Sequence, residues 1–166
     1  HLQKPYSVTV EGTTYSICYD PGDSTSDMFG GNSNWRGPVW MPINFLIIQS
    51  IRRYGEFYGD TLQVEYPVGS GEKMNLAAVA ECLTKRVIGL FERNDKGERR
   101  IFGDQNWFYQ KPGNEHLVLF YEYFHGDTGR GLGASHQTGW TALVAELISE
   151  YGERQEVKPE EKNLEV

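Results

Sequence analysis

The stretch 38-PVWMPINFLIIQSIRRYGEFYG-59 decides the fold class. Ile43, Leu46, Ile47, Ser50, Ile51, Tyr54 and Tyr58 recur at helical spacing and share one face. Phe45, Ile48 and Phe57 add apolar groups elsewhere on the circumference, so this helix expects cover on more than one side. Pro38 and Pro42 fit near its start, where a missing N–H costs little, and Gly59-Asp60 ends it.

Upstream, 6-YSVTVEGTTYSICY-19 alternates apolar and polar residues around Glu11-Gly12. It reads as a β-hairpin with Val8, Val10, Tyr15 and Ile17 turned inward. Residues 20–38 are rich in Gly, Asp, Ser and Asn, but interspersed aromatics mark an ordered loop rather than a linker. Downstream, Asn75 is placed to cap a second helix running to about Arg93, with Leu76, Val79, Ala80, Leu83, Val87 and Phe91 at helical spacing. Turn signals fill 94–116, and Leu117–Phe124 is apolar enough to be either a strand or a buried helix end. A third helix fits Trp140–Tyr151, with Leu143, Val144, Leu147 and Ile148 inward. Residues 1–151 therefore read as one mainly α folded unit with long ordered loops, and 152–166 as a charged, mobile or solvated tail. Few helices, loops of about 20 residues and one all-round apolar helix suggest part of a larger helical structure.

Composition narrows the function. The 166 residues suffice for one modest domain. A net charge of −7 and a pI near 5.1 argue against nucleic acid or an anionic membrane as the main partner. No apolar run reaches membrane-spanning length, and no signal peptide is visible. Cys18 and Cys82 lack metal-type spacing and fit a reduced, cytoplasmic setting.

Four loop segments carry candidate chemistry: 31-GNSNWRGPVW-40, 104-DQNWFYQ-110, 120-FYEYFHGDTGRG-131 and 133-GASHQTGW-140. Each combines aromatics with amides, hydroxyls or carboxylates. Sugars have that double character, with C–H faces that stack on rings and hydroxyls that need polar partners. The plainer alternative is that Trp35, Trp40, Trp107 and Trp140 are core tryptophans. Glu122 sits inside the apolar run 117-LVLFYEYF-124, where a buried carboxylate is costly unless hydrogen-bonded or used; otherwise it is an exposed residue between two buried rings. His125 and His136, beside Gly and Ser, suit hydrogen bonding more than core packing. Neither belongs to a recognised metal-ligand spacing. The run 129-GRGLG-133 lacks the strand, helix start and Lys of a phosphate loop, and no cofactor is expected.

The pair NWRGPVW and FYEYFHGDTGRGLGASHQTGWTALV resembles the C-terminal part of glycoside hydrolase family 63, over about Gly30 to Tyr151. That family comprises processing α-glucosidases and related glucosidases and mannosylglycerate hydrolases. The resemblance implies a partial (α/α)6 toroid whose helix-connecting loops form a sugar pocket. It implies inverting hydrolysis, with two carboxyl groups ~6.5–9.5 Å apart. Glu122 takes the place of the general base; Trp35, Arg36 and Trp140 match pocket positions, with His136 and Gln137 as further substrate contacts. The family's general acid is an Asp upstream of the WRG motif, and Asp27, Asp104 and Asp127 match no motif. The expectation is thus a glycosidase segment acting on α-glucosides or related small glycosides. It holds the base without the acid, is inactive alone, and is partnered by the N-terminal part of its parent or by further copies of itself. A non-catalytic carbohydrate-binding or structural fragment that oligomerises is the alternative.

Overall fold

A computed structural model describes residues 3–25 and 35–157. Segment 26–34, with Asp27 and the GNSN of the first motif, lies outside the described residues, as does 158–166. The architecture is mainly helical with a short N-terminal β-hairpin. The hairpin pairs β1 (Tyr6–Val10) with β2 (Thr13–Ile17), Val8 opposite Tyr15, around the expected turn. Its expected inward residues are a correction: Val8, Val10 and Tyr15 are exposed and Ile17 is half-buried. Alternation marks two faces of a hairpin without burying either.

Helix α1 (Met41–Tyr58) starts at Trp40 with Pro42 in its first turn and ends at Gly59. The antiparallel pair β3 (Gln63–Glu65) and β4 (Lys73–Asn75), not foreseen in the sequence, leads into α2 (Leu76–Ile88). Asn75 caps α2 as expected, its side-chain oxygen accepting from the Ala78 N–H at 2.8 Å. After a 3-10 turn at Arg100–Gln105 comes the single-turn α3 (Asn106–Tyr109). The ambiguous run 117–124 is loop ending in β5 (Tyr123–Phe124), paired with β6 (Gly131–Leu132). The third expected helix is split into α4 (Thr138–Thr141) and α5 (Leu143–Val157). Helix α5 continues past Tyr151, where the sequence suggested the tail would begin.

Helices α1, α2 and α5 enclose the core with the 90–102 segment and β5. Met41, Ile48, Ile101, Phe124 and Leu147 are fully buried there. Helix α1 buries one side and leaves much of its apolar circumference uncovered. Its inward side runs Met41, Phe45, Ile48, Arg52, Gly55, while Ile43, Leu46, Ile47, Ser50, Tyr54 and Tyr58 lie exposed. Ile148 of α5, expected inward, is exposed. Arg52 anchors the inward side beside Met41, Phe45 and Ile48. Its guanidinium pairs with Glu150 of α5 and donates to Thr84 Oγ1 of α2 at 2.8 Å, and Gln49 Nε2 donates to the same carboxylate at 2.7 Å. One buried charge, partnered by Glu150 and Thr84, ties three helices together. Among the described residues no helix is long and apolar enough to cross a membrane.

Candidate functional site

The two motifs meet through backbone hydrogen bonds. The Val39 N–H donates to the Phe124 carbonyl at 2.8 Å, and the Phe124 N–H returns to the Val39 carbonyl at 3.0 Å. This bridge sets the start of α1 against β5. The following turn is closed by the His125 N–H on the Arg130 carbonyl and the Gly129 N–H on the His125 carbonyl, both 2.8 Å. His125 Nδ1 accepts from the Asp127 and Thr128 amides at 3.2 and 3.3 Å, a role in the backbone rather than the core, as its neighbours suggested. The N-terminal segment ties in twice. The Gly126 N–H donates to the Pro21 carbonyl, and the Tyr19 hydroxyl donates to Asp127 Oδ1, each at 2.8 Å.

On this frame four aromatic rings gather. Trp35 stacks on Trp40 with centroids 3.8 Å apart and planes 3° from parallel, and Trp40 stacks on Tyr123 at 4.5 Å. Trp140 meets Trp40 edge-on at 6.2 Å. Trp40 and Tyr123 are buried, whereas the outermost ring, Trp35, keeps 54% of its surface exposed. The core reading of the tryptophans therefore holds for Trp40, with Trp140 half-buried against the same cluster. The Trp140 Nε1–H is buried without a hydrogen-bond partner among the described residues. Trp107 joins none of these rings: it is exposed on α3, with the Lys111 ammonium 4.5 Å from its centroid.

Glu122 precedes Tyr123 and is half-buried. Its N–H donates to the Ala134 carbonyl at 2.8 Å, and its carboxylate Oε2 accepts from the Ala134 N–H at 3.3 Å. Gly133 makes this embrace possible. Its φ is +67°, and a Cβ there would stand 2.6 Å from Glu122 Oε2. The Tyr123 hydroxyl donates to Asp23. Burial, then that bond to Asp23, then the nearby Glu122 charge push the Tyr123 phenol well above the ordinary tyrosine range. Burial likewise raises Tyr121, with Tyr109 adding to it, to about 12.

Of the residues singled out in the sequence, Trp35 and Trp140 thus share one aromatic cluster, and Glu122 adjoins it through Tyr123. Arg36 is half-buried and engaged beside Trp35. His136 and Gln137 are exposed on the segment leading into α4. His136 Nδ1 and Ser135 Oγ lie 2.8 Å apart, and the Gln137 N–H donates to the Phe120 carbonyl at 2.7 Å. Sequence reasoning missed Tyr123 and Asp23 as a pair. They are a hundred positions apart, and no local pattern connects them. Chemically, a carboxylate held by one amide can take a hydroxyl or water, and an exposed indole face such as that of Trp35 can cover a sugar's C–H face.

Comparisons with known proteins relate the chain to glycoside hydrolase domains. The family model described as "Mannosylglycerate hydrolase MGH1-like glycoside hydrolase domain" matches residues 9–141. An uncharacterized protein of Saccharomyces cerevisiae, YMR196W, is 53% identical over 154 residues, which is 92% of this chain and 14% of that protein. The mannosyl-oligosaccharide glucosidase of the same yeast is 28% identical over 75% of this chain and 12% of its own length. A probable mannosyl-oligosaccharide glucosidase of Schizosaccharomyces pombe is 30% identical over 72% of this chain and 11% of its own. The chain therefore spans only about one-seventh to one-ninth of the length of these relatives.

Proposed function

The chain belongs to the mannosylglycerate hydrolase MGH1-like glycoside hydrolase family, and from that premise we propose that it carries the general-base half of an inverting glycosidase site. Glu122 is the base that activates water. Trp35 and Trp140 flank the sugar, and Arg36, His136 and Gln137 contact its hydroxyls. The substrate class is a glucose-terminated or related small α-glycoside, as the names of the two glucosidase relatives suggest. The architecture we assign is part of an (α/α)6 toroid of the family 63 kind, and the general acid comes from sequence outside these 166 residues.

The observation that supports this best is the placement of Glu122. Its carboxylate sits against Ala134 N–H and adjoins the ring stack that leads to the exposed Trp35. A base of this type contributes about 10²–10⁴-fold to rate. In a full-length parent enzyme, Glu122→Gln keeps the side chain's size and should lower kcat on α-glucosides by about that factor with little change in KM. The wild-type product should carry inverted anomeric configuration by NMR. An unchanged kcat, or retention of configuration, removes Glu122 from this role.

The isolated chain should release no glucose above the buffer rate, since one carboxyl group cannot both protonate the leaving oxygen and activate water. Titration with glucose or maltose, followed by tryptophan fluorescence, tests the non-catalytic reading: sugar binding by a parent enzyme without turnover favours a binding module. Partnership with the rest of the parent, or with another copy through the exposed face of α1, belongs to the same proposal and is read by light scattering. A cytoplasmic location is also proposed, consistent with two free cysteines.

A further inference from the structure

A cavity of about 320 Å³ opens between α1, α2 and the 125–129 turn. None of the four clustered rings lines it, and neither does Glu122, so it is separate from the proposed sugar site. Its volume is at the low end of small-molecule pockets, about 300–1,000 Å³. Ile48, Val87 and Leu90, all buried, make an apolar floor. Asn44, Arg86, Arg100, His125 and Asp127 make a polar rim.

The rim is unevenly charged. Two arginines line it against one aspartate, and Asp127 already accepts the Tyr19 hydroxyl at 2.8 Å. Neither Arg86 nor Arg100 has an ion pair or hydrogen bond from its side chain among the described residues, in a chain whose net charge is −7. Two arginines at the rim and an apolar floor match a ligand with an anionic head and a hydrocarbon or C–H-rich body.

We propose that this cavity binds a small organic anion, its carboxylate or phosphate held between Arg86 and Arg100. The assignment does not rest on the role of Glu122. Occupancy would also be felt at the aromatic site, because Asn44 Nδ2 donates to the Trp40 carbonyl at 2.8 Å and the 125–129 turn follows β5 directly.

The test is isothermal titration calorimetry of the chain with inorganic phosphate, succinate and glucose 6-phosphate, against sodium chloride at matched ionic strength. Saturable binding of at least one anion is expected, weakened about tenfold or more by Arg86→Gln and by Arg100→Gln. Phosphate and succinate separate the two head groups, and glucose 6-phosphate tests whether a C–H-rich body tightens binding. Both arginines are exposed, so folding should survive, which circular dichroism checks. Arg53→Gln, an exposed arginine of α1 outside the cavity, should leave binding unchanged. Absence of saturable binding overturns the proposal. So does binding that survives both cavity substitutions, or that Arg53→Gln weakens equally.

Discussion

One side of α1 shows Ile43, Leu46, Ile47, Tyr54 and Phe57 to solvent, with Phe57 80% exposed. The opposite side buries Met41, Ile48, Arg52 and Gly55. By hydrophobicity alone the order should be reversed. The buried side wins through two specific fits. Arg52 finds Glu150 and Thr84, so its charge enters the interior partnered. Gly55 allows the start of α2 to come so near that a Cβ would lie 2.8 Å from the Ala77 nitrogen. Individual hydrogen bonds and a missing side chain set the rotation of this helix, and summed apolar area did not.

Substitutions can break that contrast. The largest effect is expected for Arg52→Ala, which strands the Glu150 carboxylate. Loss of one partner of a buried pair costs about 3–5 kcal/mol. The lower end applies here, because the Glu150 side chain keeps 22% exposure. Urea unfolding measures the loss, and adding Glu150→Leu should restore part of it. Gly55→Ala comes next, at about 1–3 kcal/mol, since the new methyl meets backbone that can yield only by separating α1 from α2. Gly133→Ala, strained at positive φ, should cost about 1–2 kcal/mol and displace the Glu122 carboxylate. On the other side of α1, Leu46→Ser and Phe57→Ser should stay within about 0.5 kcal/mol in unfolding experiments. Should that face be an association surface, the same pair will lower the mass seen by light scattering.

A pH series adds a smaller effect located at the site. Tyr121 and Tyr123 both have raised pKa values in the folded chain. Below about pH 10 they are neutral in the folded and unfolded states alike, so they leave stability unchanged. Above it the unfolded chain ionises first, and stability falls as pH rises, for Tyr121 up to about 12. Tyr123→Phe should flatten the melting-temperature decline on the alkaline side. An unaltered slope would place its phenol in water.

Much of the helical framework was legible. The cap at Asn75, the Pro42 start, the Gly59 stop and the Glu11-Gly12 turn are local signals, written in the residues that satisfy or interrupt the backbone. Facing was legible only in part. Val144 and Leu147 are inward as expected, whereas Ile148 and Val8 are not. A periodic pattern says that a face exists without saying which neighbour meets it. The site followed the same division. Aromatic and carboxylate residues in Gly-rich loops marked the segments, but the Trp35–Trp40–Tyr123 stack depends on a backbone bridge between Val39 and Phe124 that no spacing reveals.

By itself, then, the sequence determined the limits of α1, the start of α2, the hairpin turn, an acidic net charge and the segments rich enough in rings and hydrogen-bonding groups to meet a sugar. These follow from backbone propensity and composition, which act within a few residues. Only the tertiary structure decided which side of α1 is buried, that Glu122 is held by Ala134 across Gly133, and that Arg86 and Arg100 border one cavity. Each of those depends on groups distant in the chain arriving within a few ångströms, and short-range chemistry acts only once they have met.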